Sequence, residues 1–273
     1  MSTHIGEIGC VIMKKPLLDV IFASEKRKGV LFLLQNGPQQ MEDILTSLDT
    51  TRQSLLPQMR ILEEHHLISH FDDSYGLTTV GELLAEKIQP LVETVETFDV
   101  DVEYWGNRNL DFIPSYLMKR INELDECKII TPPNMEMYNI NKEFFEQCKS
   151  SKSVTKVTTF LYPNFLEIYS AWIKMGVQVI IIVNEELFQR IKLNYTKQFR
   201  ELLTSGKFGL FLCSHKMDFI SFGYNDYCAF FRLLLKTGEY DNKQLICYKP
   251  SSVKWSIELC QDYHKDSIQV TEL

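Results

Sequence analysis

Long apolar runs, paired cysteines and glycine-rich loops are all missing from this sequence of 273 residues. No apolar run reaches the ~18 residues that span a bilayer, and the best candidate, residues 177–183, has the length of a buried strand. The seven cysteines are widely spread and form no Cys-x-x-Cys pair, which excludes the usual zinc-finger spacing and does not suggest a disulfide framework. With no signal-peptide pattern at the start, we expect a reduced, cytoplasmic setting.

Catalytic signatures are scarce as well. The 12 glycines are scattered, and neither a dinucleotide-binding Gly-x-Gly-x-x-Gly, a Walker pattern nor a Gly-x-Ser-x-Gly elbow occurs. His264, Lys265 and Asp266 have the letters of a phospholipase D signature without its spacing. We therefore predict no catalytic residues, no metal site, no cofactor and no enzymatic activity. An unrecognised or degenerate hydrolase in residues 104–273 remains an alternative.

The charge is unevenly distributed along the chain. The formal net charge is −7, so any site for a polyanion must be a local patch. Residues 12–62 carry seven basic and five acidic side chains, whereas residues 63–98 carry one basic and eight acidic side chains. The positive side of the first hundred residues is therefore its candidate DNA-binding side.

The first hundred residues have the pattern of a winged helix-turn-helix. Short helices are predicted at residues 17–22, 25–34, 41–48 and 52–65, with Ser24 as an N-cap and a local bend or late start at Pro57. Two short extended runs flank the polar turn at residues 72–74 and predict a hairpin, which a longer helix at residues 79–98 follows. In this motif the second helix of the turn enters the major groove.

The fourth helix is the candidate recognition helix. Leu55, Met59 and Leu62 form its apolar stripe, and polar residues occupy the opposite side. The predicted DNA-binding residues are Thr51, Arg52, Gln53, Ser54, Gln58 and Arg60. The alternative is a winged helix that binds protein and never meets DNA. Asp72 and Asp73 count for that alternative, because acidic residues at the tip of a wing repel phosphate.

The helix at residues 79–98 carries apolar residues at spacings of four and three over two heptads. This a/d pattern predicts a homodimer seam made by Leu84, Ile88, Leu91, Val95 and Phe98. The alternative is a stripe that packs on its own domain. Pro90 is expected to kink the helix between the heptads.

Beyond residue 104 the pattern changes to strands alternating with helices and then to strand-to-strand connections. This predicts two domains, a winged helix at residues 13–98 and a mixed α/β sandwich at residues 104–273, with the twelve residues before Met13 as a loose extension. Aromatic residues with polar tips are candidates for lining an effector pocket, and the three chosen are Tyr162, Trp172 and Tyr224. The alternative for each is a place in the core.

Several stretches together resemble a known family. They are KPLLDVIFASEKR at 15–27, LPQM at 56–59, YW at 104–105, IP at 113–114, YPNF at 162–165, GVQV at 176–179 and TGEYD at 237–241. In their order and spacing they resemble the methanogenesis regulatory proteins, archaeal winged-helix transcriptional regulators. The resemblance implies a regulator that binds double-stranded DNA, tolerates Pro57 in its recognition helix and uses its second domain to sense a small molecule or to assemble.

Overall fold

A computed structural model of the chain describes residues 15–273 and divides it into two units. The first ends at Val92, and the second comprises Glu93–Leu273. The extension expected before Met13 lies outside the described residues. The predicted boundary at residue 98 falls later than this division, because Phe98 packs edge-on against Trp105 with ring centroids 5.6 Å apart.

The first unit is the predicted winged helix-turn-helix. Its helices and strands are α1 (Leu17–Phe22), α2 (Glu25–Leu33), β1 (Gln39–Gln40), α3 (Met41–Ser47), α4 (Arg52–Glu64), β2 (Ile68–Phe71), β3 (Ser74–Leu77) and α5 (Thr79–Asp99), of which α5 continues into the second unit. The strands pair antiparallel in the order β1-β3-β2, so β2 and β3 form the wing.

Local chemistry accounts for these elements. Ser24 caps α2 by accepting a hydrogen bond from the backbone N–H of Arg27. Asp72 and Asp73 adopt φ angles of 45° and 62°, which the tight hairpin turn requires. Helix α4 runs through Pro57, and since proline lacks an N–H, the carbonyl of Gln53 receives no helical hydrogen bond from it.

A close approach fixes α5 against the end of the turn before the wing. The start of α5 lies so near Leu67 that a Cβ on Gly81 would be 1.9 Å from the Leu67 carbonyl oxygen. Glycine is therefore required at this position. The apolar faces of the helices meet in one core that includes Val30, Ile44 and Leu55.

The second unit is a mixed α/β fold around one eight-stranded sheet. Its elements are α6 (Val102–Asn107), α7 (Ser115–Met118), β4 (Cys127–Ile130), α8 (Lys142–Ser150), β5 (Ser153–Thr158), α9 (Phe165–Lys174), β6 (Gln178–Val183), α10 (Glu185–Asn194), α11 (Thr196–Leu203), β7 (Phe208–Cys213), β8 (Ser221–Asn225), β9 (Ala229–Arg232), β10 (Gln244–Cys247), α12 (Pro250–Lys265) and β11 (Ser267–Val270).

The sheet has the strand order β11-β7-β6-β5-β8-β9-β10-β4. Strands β5, β6 and β7 are parallel, and the remaining pairs are antiparallel. One face packs against α12 and the segment of residues 104–124. Helices α8 to α11 cover the opposite face. A sheet covered on both faces explains why β6 is almost continuously apolar.

Three features of this unit differ from the expectation. The sequence pattern predicts one helix over residues 185–204, but this segment is broken at Tyr195 into α10 and α11. The pattern predicts no strand at residues 267–270, where β11 lies. Cys127 and Cys247 face each other on paired strands and form a disulfide, whereas the wide cysteine spacing suggested none. Sequence spacing cannot reveal this pairing, because 120 positions separate the two residues.

Among residues 15–273, no helix has both the length and the apolar character needed to cross a membrane.

Candidate functional site

The predicted recognition helix α4 turns its polar side outward. Leu55, Met59 and Leu62 are fully buried beneath it. Of the predicted DNA-binding residues, Thr51, Arg52, Gln53 and Arg60 are exposed. The helix is preceded by α3 and a short turn, and its free N-terminal N–H groups and positive dipole end favour phosphate.

Ser54 and Gln58 make contacts within the first unit that the sequence did not predict. The Nζ of Lys26 donates a hydrogen bond of 2.8 Å to Ser54 Oγ, and Nη1 of Arg27 donates one of 3.0 Å to Gln58 Oε1. Both side chains therefore connect α4 to α2, and a DNA contact by either one stays a prediction. A helical pattern identifies the apolar side of a helix but not which neighbour its flanks meet.

Arg52 has an acidic neighbour at the start of α3. Its Nη2 lies 3.1 Å from Oε1 of Glu42, and both side chains are mostly exposed. An exposed pair of this kind contributes about 0–1 kcal/mol. A phosphate can therefore replace the carboxylate at little cost.

A concave surface between α4 and the wing encloses a cavity of about 360 Å³. It is lined by Gln40, Met41, Glu42, Arg52, Leu56, His70, Asp73 and Tyr75. The rings of His70 and Tyr75 stack at 4.3 Å. Burial and the Glu63 carboxylate raise the pKa of Tyr75, while the charges of Arg52 and Arg60 act in the opposite direction. Both arginines thus act electrostatically on the same concave surface.

The wing tip is less suited to phosphate than α4. Asp72 and Asp73 are exposed there, and Phe71 next to them is 76% exposed. The exposed arginines Arg52 and Arg60 of α4 therefore suit phosphate better than the wing tip does.

The predicted dimer seam is divided by packing within the chain. Ile88 is buried in the core of the first unit, Leu84 packs partly against that core, and Phe98 packs against the core of the second unit. These three residues pack within the chain, so the predicted dimer seam does not include them. Leu91 and Val95 are 55% and 48% exposed and remain candidates for contact with a second copy.

The three candidate effector residues lie apart. Trp172 is buried and donates its Nε1–H to the carbonyl of Phe145, so it belongs to the core. Tyr224 is half-buried on the sheet face that packs against α12. Tyr162 lies on the opposite face, with the Nζ of Lys156 3.7 Å from its ring centroid.

Both units match known protein families. Residues 137–266 match the middle domain of methanogenesis regulatory protein FilR1, and residues 18–99 match the HVO_A0261 N-terminal domain. Methanogenesis regulatory protein FilR1 of Methanothrix harundinacea (strain 6Ac) is 19% identical over 258 residues, which cover 93% of this chain. The chain is therefore similar to a methanogenesis regulatory protein, most specifically over the middle domain. It spans 58% of the length of that curated relative.

Solved structures give weaker similarities to this chain. TrmBL2, an archaeal chromatin protein, is 15% identical with a TM-score of 0.41, covering 90% of this chain and 93% of its own. Nuc, a phospholipase D family member from Salmonella typhimurium, is 18% identical with a TM-score of 0.37, covering 53% of this chain and 99% of its own. Both scores are too low to inform function.

Sequence reasoning missed three buried basic side chains in the second unit. Lys156, Arg232 and Arg108 are each at most 2% exposed. A sequence signal was available for Arg232, which follows two phenylalanines in β9, but not for Lys156, because β5 reads SVTKVT and is largely polar. A charged residue inside an otherwise apolar strand is rarely accommodated without a partner.

Proposed function

We propose that this protein is a DNA-binding transcriptional regulator that acts as a homodimer and whose second unit senses a small molecule. The observation that carries the proposal is the exposed polar side of α4, where Arg52, Gln53 and Arg60 project from a winged helix. The name of the curated relative, a regulatory protein, supports the same function. On α4, the exposed Arg52 and Arg60 fit phosphate contacts, and Gln53 fits a base contact.

The dimer in this proposal uses the exposed part of α5. Leu91 and Val95 lie one helical turn apart on this helix, and both are about half exposed. A two-fold protein matches a two-fold operator, which explains how a modest single recognition helix obtains specificity.

The proposal assigns binding and no reaction to the second unit. His264, Lys265 and Asp266, the residues that resemble a phospholipase D signature, make separate contacts. His264 packs on the ring of Phe211, Lys265 pairs with Asp262, and Asp266 lies 3.2 Å from His215. Their side chains serve three different local contacts, which supports a structural role for each.

The test is DNA binding by an arginine-depleted variant. A pool of duplexes, enriched from random sequence by the wild-type protein, serves as the probe in a mobility-shift titration. Arg52→Ala with Arg60→Ala is expected to weaken binding and to reduce the slope of log affinity against log salt by about two. The control, Lys87→Ala with Lys174→Ala, removes two exposed charges outside α4. Equal affinity and slope for all three proteins contradict the proposal.

A protein-binding winged helix is the second candidate function. The exposed Phe71, which ends the wing strand β2 next to Asp72 and Asp73, favours this function. An apolar side chain with acidic neighbours suits a basic protein surface better than a duplex. Under this function the enrichment from random duplexes yields no preferred sequence, which distinguishes it from the first.

A further inference from the structure

Two buried cations lie on the same face of the large sheet. Thr158, Ser221 and Arg232 are directly paired across β5, β8 and β9. Lys156 precedes Thr158 by two residues on β5 and therefore points to the same face. This is the face that carries Tyr162 and is covered by α8 to α11.

Neither cation has a compensating charge. Lys156 and Arg232 are 2% and 1% exposed, and within residues 15–273 neither makes an ion pair. Burial holds the pKa of Lys156 well below its usual value, and the like charge of Arg232 lowers it further. Two like charges in one dry site are costly unless an anion joins them.

Donors in this cluster are left unused. The Nζ of Lys156, the Nε and Nη1 of Arg232 and the hydroxyl of Ser221 are all buried with no hydrogen-bond partner in the described part of the chain. Of the guanidinium nitrogens of Arg232, Nη2 donates a hydrogen bond to the carbonyl of Asn139. Buried polar groups in native proteins are nearly always paired, so this concentration of idle donors points to a missing acceptor.

Aromatic rings now occupy the place of that acceptor. The Nζ of Lys156 lies 3.7 Å from the ring centroid of Tyr162 and 4.8 Å from that of Phe160. The guanidinium of Arg232 lies 5.3 and 5.5 Å from the same two rings. Cation–π contacts compensate a buried charge only partly.

The same rings form the wall of a cavity. Phe160 and Tyr162 line a space of about 390 Å³ together with Tyr138, Leu161, Pro163, Leu187, Arg190 and Tyr195. Arg190 is exposed at this cavity and adds a third positive charge. The cavity lies after the carboxyl end of β5. Strand β5 pairs in parallel with β6 and antiparallel with β8, so the pairing changes at this strand. Open α/β sheets bind ligands at the carboxyl ends of strands where the strand order changes.

We propose that Lys156 and Arg232 form an anion-binding site, reached through this cavity, for a small molecule carrying a carboxylate or phosphate group. The anion takes the place of the rings of Phe160 and Tyr162 as the partner of the two cations. Movement of these rings couples the ligand to the loop after β5. The inference rests on the proposed small-molecule sensing and gives that function its ligand class.

The test is anion binding by the full-length protein without DNA. Inorganic phosphate and succinate are titrated separately by calorimetry at constant ionic strength, against wild type and Lys156→Met, which keeps the length of the side chain. Saturable binding of at least one probe is expected, weakened about tenfold or more by the substitution. Lys174→Met, which removes an exposed lysine, is expected to bind as wild type does. The two probes distinguish a phosphate from a carboxylate ligand.

A second measurement separates binding from a purely structural role. In wild-type protein, the side-chain nitrogen resonance of Lys156 is expected to shift toward that of a charged ammonium when the bound probe is added, since an anion stabilises the charged form. Arg190→Gln, at the exposed rim, is expected to weaken binding in a protein that folds normally. If neither probe saturates, or if both substitutions leave affinity unchanged, the cluster is a structural clamp and the site is overturned.

The two proposals fail separately. Anion binding without any DNA preference overturns the regulator function and leaves the site intact. DNA binding without anion binding does the reverse.

Discussion

Arg27 of α2 donates a hydrogen bond of 3.0 Å from Nη1 to Oε1 of Gln58 in α4. Arg27 is only 8% exposed, and its Nε has no hydrogen-bond partner in the described residues. The amide oxygen of Gln58 therefore accepts a hydrogen bond from the buried guanidinium, and this contact holds α4, the predicted recognition helix, against α2.

Gln58→Ala is expected to destabilise the first unit by about 1–3 kcal/mol, because it leaves more of a buried guanidinium unpaired. Hydrogen exchange of the α4 amides measures the loss. Gln53→Ala, an exposed change on the same helix, is the matched control and is expected to alter sequence preference with little effect on exchange. If Gln58→Ala leaves hydrogen exchange unchanged and alters the base preference, Gln58 contacts DNA and does not stabilise the first unit.

Glu42→Gln is expected to tighten DNA binding by up to about fivefold, equivalent to about 1 kcal/mol. It releases Arg52 from the carboxylate 3.1 Å away and leaves the guanidinium free for phosphate. Asp43→Asn removes the same charge from the same turn of α3 without touching that pair and is the control. If the two variants tighten binding equally in mobility-shift titrations, the pair does not restrain Arg52.

The winged helix was predictable because its information is local. Helix α4 has an apolar stripe at a spacing of four and three, and a polar turn of residues 72–74 joins β2 and β3. The roles of Ser54 and Gln58 were not predictable, since they depend on where α2 places Lys26 and Arg27. Periodicity gives the direction of a face and not its neighbour.

Long-range polar pairs in the second unit were beyond sequence reasoning for the same reason. Arg108 and Asp241 are 133 positions apart, and Cys127 and Cys247 are 120 apart. Strand β11 carries one apolar–polar alternation too short to distinguish from a tail, and it forms because β7 offers it an edge. Arg232 did carry a sequence signal, because it follows Ala229, Phe230 and Phe231 in the otherwise apolar strand β9.

Asp241 is expected to make stability depend on pH through its bidentate pair with Arg108, at 2.7 and 2.6 Å. Burial would raise the pKa of Asp241, but the hydrogen bonds and charge of Arg108 more than offset this and lower it. A carboxyl whose pKa is lowered by folding stabilises the protein above its unfolded pKa, and this stabilisation is lost as the pH falls through the folded pKa. Stability should therefore decline as the pH is lowered below about 4.

Asp241→Asn is expected to remove that part of the acid dependence and to cost about 3 kcal/mol at neutral pH, because it leaves the buried Arg108 without its counter-ion. All three tryptophans lie in the second unit, so their fluorescence in urea follows that unit alone. Glu239→Gln, at an exposed neighbour, is the control. If the unfolding free energy of Asp241→Asn declines with falling pH as steeply as that of wild type, other groups cause the acid dependence.

The Cys127–Cys247 disulfide should be visible chemically in protein purified without reductant. Denatured protein is expected to yield two more reactive thiols after reduction than before. Since the bond closes a loop of 120 residues, its reduction is expected to cost about 2–5 kcal/mol of unfolding free energy in the second unit. Cys260→Ser, at a buried free cysteine, leaves the thiol difference at two, whereas Cys127→Ser abolishes it. An equal thiol count before and after reduction of wild type shows that the pair is held as free thiols.

Charged substitutions on α5 should separate assembly from folding. Leu91 and Val95 are exposed, whereas Ile88 on the neighbouring stripe is 7% exposed and supports the core of the first unit. Leu91→Glu with Val95→Glu is therefore expected to shift a dimer to monomer in sedimentation velocity while helicity and thermal unfolding of the diluted protein stay the same. Ile88→Glu is expected to unfold the first unit instead, by burying an unpaired charge. The matched control is Leu83→Glu, because Leu83 is 57% exposed on the same helix but off the predicted seam. If all these proteins sediment alike as monomers, DNA recognition rests on a single winged helix, and its operator then lacks two-fold symmetry.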